Sequence, residues 1–251
     1  MTGPEEPFEG KTGLWDQVTG PFEVPLPAYP DGSRVVELSF LKQFPSEAHS
    51  QALLGFMPTV REWTDVADIE SIDIEIYWQA YHEIGSHPSK WDPQTRESAD
   101  HSLPYLLSVA LIDGGITLDS FLPERFLDPA LRPFMQKIRV SENPEFTAGF
   151  RPPGASIVGA PKALITVRTV SGDELVREVT YAKGHPENPM SQAEIDAKFD
   201  AASADLVDDE RRERIRQAWW NIPSAADVND ATTTMADEFA PTAARVSQAN
   251  A

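Results

Sequence analysis

The sequence predicts an α+β fold, on three observations. Residues 69–80, IESIDIEIYWQA, alternate between apolar and polar side chains, with Ile72, Ile74 and Ile76 on one face; this is the period of a half-buried strand. Residues 163–182, ALITVRTVSGDELVREVTYA, hold two such runs around Ser171, Gly172 and Asp173, which predicts a hairpin. After GHPENP the period turns helical: SQAEIDAKF opens with Ser191 and Glu194, the spacing of a capping box.

The remaining elements follow in order. Residues 1–34 are rich in Pro and Gly, and EGKTGLWDQVTG predicts at most a short helix or docking segment. VVELSFLK (35–42) alternates like a strand. EAHSQALLGFMPTVREW (47–63) has helical spacing, with Ala48, Ala52, Leu53 and Phe56 to one side. LPYLLSVALIDGG (103–115) is an apolar helix stopped by Gly114 and Gly115. TLDSF starts a further short helix with Thr117 as its cap, and DPALRPFMQKIRVSE (128–142) passes from helix to strand. DDERRERIRQAWWNI (208–222) places acidic residues first, as the helix dipole prefers. The small, polar end reads as a frayed tail. The predicted divisions are 1–35, an N-terminal docking segment; 36–186, an α+β unit; 187–236, C-terminal helices; and 237–251, a flexible tail.

Composition removes whole classes of function. The chain has no cysteine, which excludes disulfides, thiolate metal sites and cysteine-held iron–sulfur clusters. Its net charge is −19 with no cluster of Lys and Arg, so nucleic acid and anionic membranes are not expected partners. No apolar run approaches the ~20 residues of a membrane span. The acidic start is not a signal peptide, and a cytoplasmic location is expected. The five histidines have no metal-ligand spacing, and no nucleophile elbow, Walker loop or dinucleotide fingerprint is present. In so acidic a chain, a cation beside apolar residues is a candidate for holding an anion.

Three segments can carry chemistry. In KQFPSEAHSQ, Pro45 suits a first helical turn, which would set Lys42 just outside a helix N-terminus and His49 about one turn inside. Free N–H groups, the positive helix end and an ammonium would make a carboxylate site, with His49 to move a proton. The plainer reading is an exposed helix start. In RESADHSLPY, His101 and Tyr105 share a face if both are helical, and Ser102 is the expected cap, with Asp100 or His101 in the turn before it. They would serve as proton carrier and hydroxyl donor; the alternative is a capping pair and a packed tyrosine. GHPENP reads as a junction in which Gly184 permits a tight turn; His82 and His87 are weak candidates.

LKQFPSEAHSQALL, IEIYWQAYHEIG, DPQTRESADHSLPYLLSVALIDGGITLDSF and GHPENPMSQAEIDAKF resemble the MmgE/PrpD family of 2-methylcitrate dehydratases and cis-aconitate decarboxylases, from about Phe8 to about Ile222. The resemblance implies a lid-type α+β domain whose flanking helices complete an all-helical domain, with the active site between the two and neither metal nor other cofactor. It implies Lys42 at substrate carboxylates, His49 in the E-x-H-x-Q form of the dehydratase branch, His101 in HS-x-x-Y and Tyr105 in the pocket. The decarboxylase branch carries its histidine where Glu47 stands. The expected catalytic set is therefore Lys42, His49, His101 and Tyr105, with Lys42, Ser46, Glu47, Ser102 and Tyr105 binding substrate. The family's upstream helical region is absent from this sequence. The resemblance thus implies a second subunit that supplies it, in a higher oligomer such as a dimer of heterodimers. The expected activity is cofactor-independent dehydration or hydration of a small di- or tricarboxylate. The alternatives are isomerisation, epimerisation or decarboxylation of a similar acid, or a non-catalytic stabilising role.

Overall fold

Isoleucines at alternate positions build the centre of the molecule. In the structure, a computed structural model that describes residues 6–11, 13–21, 39–150 and 159–236, Ile72, Ile74 and Ile76 are buried along one face of a strand. Helix α1 (Gln51–Trp63) precedes that strand, β1 (Ile69–Ile76). Then come α2 (Trp78–Ile84), α3 (Arg96–Asp100), α4 (Leu103–Asp113), α5 (Pro123–Phe126) and α6 (Arg132–Met135). The chain continues with β2 (Ile138–Glu142), α7 (Pro144–Phe150) and the hairpin of β3 (Ala163–Thr169) and β4 (Glu174–Val179). Helices α8 (Gln192–Ser203), α9 (Asp209–Trp220) and α10 (Asn229–Thr232) follow.

The sheet order is β2-β1-β3-β4, with β1 and β2 parallel and the other pairs antiparallel. The parallel pair needs a crossover, and α2 to α6 supply it. One sheet face is apolar: Ile72, Ile74 and Ile76 join Ile138, Ile165 and Val167 in a core shared with Leu53, Leu54, Met57 and Val60 of α1. Ile69 is buried out of parity because the β1–β3 register shifts between Ile69 and Ser71. On the polar face Asp73 pairs with Arg139 of β2 at 3.3 Å and Arg168 of β3 at 2.5 Å. Residues 103–111 of α4 are all buried, as a helix apolar on every side must be.

Contacts divide the chain into Met1–Ser39 and Phe40–Ala251. In the first, a short helical turn, Trp15–Thr19, is closed by Gly20, whose N–H donates to the Trp15 carbonyl at 2.8 Å. In the second, the hairpin turns at Gly172 and α4 ends on left-handed Gly114, as the sequence indicates. The Ser191–Glu194 capping box also forms.

Several expectations need correction. Of the strand expected over 35–42, residues 35–38 lie outside the described set and 39–42 form no strand. The buried side of α1 is Gln51, Leu53, Leu54, Met57 and Val60, whereas Ala52 and Phe56 are only half-buried. The turn at Asp119–Phe121 has no side-chain cap; the Thr117 N–H instead donates to Ser120 Oγ at 3.1 Å. The tail from 237 lies outside the described residues.

Gly184 fixes where the chain leading to Lys42 runs. Its carbonyl accepts from the Leu41 N–H at 3.0 Å, its φ is 93°, and a Cβ there would stand 1.9 Å from the Leu41 carbonyl oxygen. Backbone cannot yield as a flexible side chain does, so Gly184→Ala must part the two segments. The expected outcome is a loss of roughly 1–3 kcal/mol in urea denaturation, with faster hydrogen exchange at Leu41. Unaltered stability and exchange would contradict the close approach.

Candidate active site

The turn that carries Lys42, Glu47 and His49 is held by one buried amide. Gln51, the first residue of α1, sends its side chain back into the turn: Nε2 donates to the Phe44 carbonyl at 3.0 Å and to Ser46 Oγ at 2.9 Å, while Oε1 accepts from the Phe44 N–H at 2.9 Å. Ser46 is buried and also bonds Ser50 Oγ at 3.0 Å, so its hydroxyl is engaged within the turn. The helix therefore does not start at Pro45. Glu47 is the N-cap of a 3₁₀ turn, Ala48–Ser50, that leads into α1, and its Oε2 accepts from the His49 N–H at 2.6 Å. The open N-terminal carboxylate site expected here is thus partly filled by the chain's own carboxylate, which answers the positive helix end.

His49 stands between Glu47 and two aromatics. Its Nδ1 is hydrogen-bonded to the Tyr77 hydroxyl, and its Nε2 lies 3.9 Å from Glu47 Oε1. Phe150 stacks on Tyr77 with ring centroids 4.0 Å apart and meets His49 edge-on at 6.4 Å. Burial, then the nearby Glu47 charge, push the Tyr77 hydroxyl far above its ordinary value, so it stays protonated. The His49 side chain is 24% exposed, so one ring edge reaches solvent.

Asp100 links this turn to the second segment. It ends α3, lies within the fields of Lys42 and His101, and faces the Glu47 backbone N–H. Burial raises its carboxyl above the ordinary value; His101, Lys42 and the Glu47 N–H oppose this, and Glu97 adds to it. His101 Nδ1 lies 3.7 Å from Asp100 Oδ2 and 3.5 Å from Glu97 Oε1. Glu47, His49, Asp100 and His101 thus form a linked series, with the exposed Lys42 acting on Asp100 through its charge, while Tyr77, 2% exposed, meets His49 from the core. Among the described residues, Glu97, Asp100 and His101 offer ligand atoms within 4.8 Å of one another, enough to meet a divalent cation. The same grouping also arises from ordinary acids at a helix end.

The other predicted site residues lie elsewhere. The chain breaks between α3 and α4 at His101, with Ser102 as the α4 cap, as expected, so the condition for a face shared by His101 and Tyr105 is not met. Tyr105 is 0% exposed, and its hydroxyl donates to the Ser120 carbonyl. Burial pushes that hydroxyl up to about 12, and its charged neighbours are Arg125, Asp113 and Arg132 rather than Lys42. Ser102 is buried as the α4 cap, accepting from the Tyr105 N–H at 3.1 Å and donating to the Lys90 carbonyl. His82 stacks on Trp78, and His87 bonds Ser89. Sequence reading did not foresee the contact of Tyr77 with His49 and saw Asp100 only as part of a turn. The one available signal for Tyr77 was its place just after the alternating run, where the strand parity ends.

Asp100 gives a pH signature. A folded-state pKa raised above the ordinary 3.8 means that the folded chain holds this proton more tightly than the unfolded one. That advantage is lost as pH rises from 3.8 through the raised value. Asp100→Asn removes the titration, so the variant should gain on the wild type as pH climbs through that window and then hold level. Urea midpoints from pH 3.5 to 7, as an order-of-magnitude range around that window, measure it; a difference independent of pH would contradict it.

Known proteins share this chain's pattern. Residues 44–222 match the model of the MmgE/PrpD C-terminal domain. A 2-methylcitrate dehydratase of Salmonella typhimurium is 29% identical over 163 residues, 62% of this chain and 32% of that enzyme. Its counterpart in Escherichia coli is 28% identical over 159 residues, again 62% and 32%. The cis-aconitate decarboxylase of Homo sapiens is 25% identical over 157 residues, 62% of this chain and 31% of that enzyme. The matches thus span about a third of the length of these curated relatives. Since the match covers most of its length, the chain belongs to the MmgE/PrpD family and carries that family's C-terminal domain.

Proposed function

We propose that this chain is part of a lyase that dehydrates or hydrates a small di- or tricarboxylate, 2-methylcitrate-like, without a cofactor. The observation that carries the proposal is the turn in which His49, its side chain 24% exposed, stands between the Glu47 carboxylate and the Tyr77 hydroxyl, with the exposed Lys42 seven residues before it in a strongly acidic chain. Elimination from such an acid breaks a C–H bond beside a carboxylate and a C–O bond one carbon further on. It needs a base, an acid for the departing hydroxyl, and a cation where enolate charge grows. Lys42 is the cation. His49 and His101 are the proton carriers. Glu47, Ser46 and Ser102 act by holding the turn and the start of α4, and Tyr105 supports the core beneath.

The relatives' names support the choice of reaction, dehydratase in Salmonella typhimurium and decarboxylase in Homo sapiens. On the resemblance set out above, His49 follows the dehydratase form and Glu47 stands at the decarboxylase branch's histidine position, which favours dehydration. The patch is open: Lys42 is exposed, and the side chains of His49 and His101 are 24% and 33% exposed. We place the wall that closes it on a second subunit resembling the family's helical half, in a higher oligomer. On this reading 36–186 form the lid, and the helices of 187–236 join that subunit.

Lys42→Ala, purified with whatever subunit accompanies the wild type and assayed on 2-methylcitrate, should lower turnover by ~10² or more. Product analysis by NMR in deuterated water separates loss of water from exchange or loss of carbon dioxide. Unchanged turnover would remove Lys42 from the mechanism; deuterium exchange without loss of water would make the enzyme an epimerase or isomerase.

A further inference from the structure

His49 carries protons in the reaction proposed above, and the inference drawn here rests on that assignment. We propose that Tyr77 is the positioning residue of this histidine: its buried hydroxyl holds Nδ1 in each protonation state, so that every exchange with substrate takes place at Nε2.

The geometry has three parts. Nδ1 is occupied by the Tyr77 hydroxyl. Nε2 lies on the side of Glu47 Oε1, at 3.9 Å, and the side chain is partly open to solvent. Tyr77 cannot swing away: it is 2% exposed, caps the start of α2, and stacks on Phe150 at 4.0 Å with planes inclined by 28°. A hydroxyl both donates and accepts, which a carboxylate or carbonyl partner cannot do. Toward the imidazolium, Nδ1–H donates to the Tyr77 Oη, and Nε2–H is the proton that can leave. When Nε2 releases it, the ring is the neutral Nδ1–H form, still paired with Oη, and the lone pair now lies on Nε2. Nε2 then takes a proton back and restores the imidazolium. The proton therefore leaves and returns at Nε2, and no charge has to form on tyrosine.

The groups around the ring divide its two nitrogens. Glu47, on the ring's own turn, lies beside Nε2. Tyr77 comes from the β1–α2 junction, and Phe150, from α7, brings no charge. Asp100, at the end of α3, faces the Glu47 backbone N–H and feels the charge of Lys42.

The test is nitrogen-15 NMR of the histidine rings in the whole chain, with His49 assigned by loss of its signals in His49→Gln. The neutral wild-type ring should be the Nδ1–H tautomer, with a hydrogen-bonded Nδ1. Tyr77→Phe keeps the stack on Phe150 but strips Nδ1 of its partner. Both nitrogen shifts and the ring's titration midpoint should move, and kcat should fall on the order of tenfold with KM changing less. Near-ultraviolet circular dichroism reports whether the variant keeps its fold; if it does not, the wild-type tautomer still decides. A wild-type Nε2–H tautomer, or identical ring spectra and titrations in wild type and a folded Tyr77→Phe, would overturn the assignment. An inactive chain with the predicted tautomer would instead overturn the reaction and leave the pairing in place.

Discussion

The Gln51 side-chain amide is the constraint on which the site depends. Residues 44–46 form no regular secondary structure, yet they must present Lys42 on one side and Glu47 and His49 on the other. Gln51 supplies the donor and acceptor that Phe44 would otherwise find in a ladder, and it binds the Ser46 hydroxyl as well. A buried backbone group left without a partner costs roughly 1–3 kcal/mol, so this amide decides whether the turn has one shape or many. It belongs to α1, whose apolar side is locked into the core shared with β1 and β3. The rigidity of the sheet is thus passed to the turn through a single side chain, while the Gly184 carbonyl fixes the other end of the segment at Leu41.

Much of this fold is legible in the sequence because the strong signals are local. The alternation of Ile72, Ile74 and Ile76, the Gly172 turn, the Ser102 cap, the Gly114 stop and the Ser191–Glu194 box each depend on residues within one element. The errors fall where a distant partner decides. Pro45 satisfies the rule for a first helical turn, but Glu47 caps the helix and Gln51 folds the chain before it. Thr117 has the chemistry of a cap, but its N–H is taken by Ser120. Ile69 breaks the parity of its own strand because of a register shift that only the β3 pairing reveals.

The site was legible in part. Lys42, His49 and His101 stand out because a cation or histidine beside apolar residues is notable in a chain of net charge −19. Glu47 entered through the family resemblance. Tyr105, marked by its spacing from His101 and by that resemblance, lies elsewhere, since its hydroxyl reaches Ser120 in the core. Tyr77 was hidden by its setting: at the end of an apolar run it looks like one more core aromatic, and its stacking on Phe150 is that of a core residue. Only its hydroxyl, turned to His49 from 28 residues away, marks it as different. Spacing along one sequence cannot show such a pair.

The central claim is that the patch around Lys42 and His49 binds a polycarboxylate. Citrate titrated into the isotopically labelled chain tests it directly by NMR. The account predicts shifts concentrated at the amides of Lys42, Glu47 and His49 and at the His101 ring, suppressed by added salt as charge pairing requires. Shifts centred instead on the loop around Asp113 and Arg125, or none up to millimolar citrate, on the order of a weak substrate's KM, would contradict it.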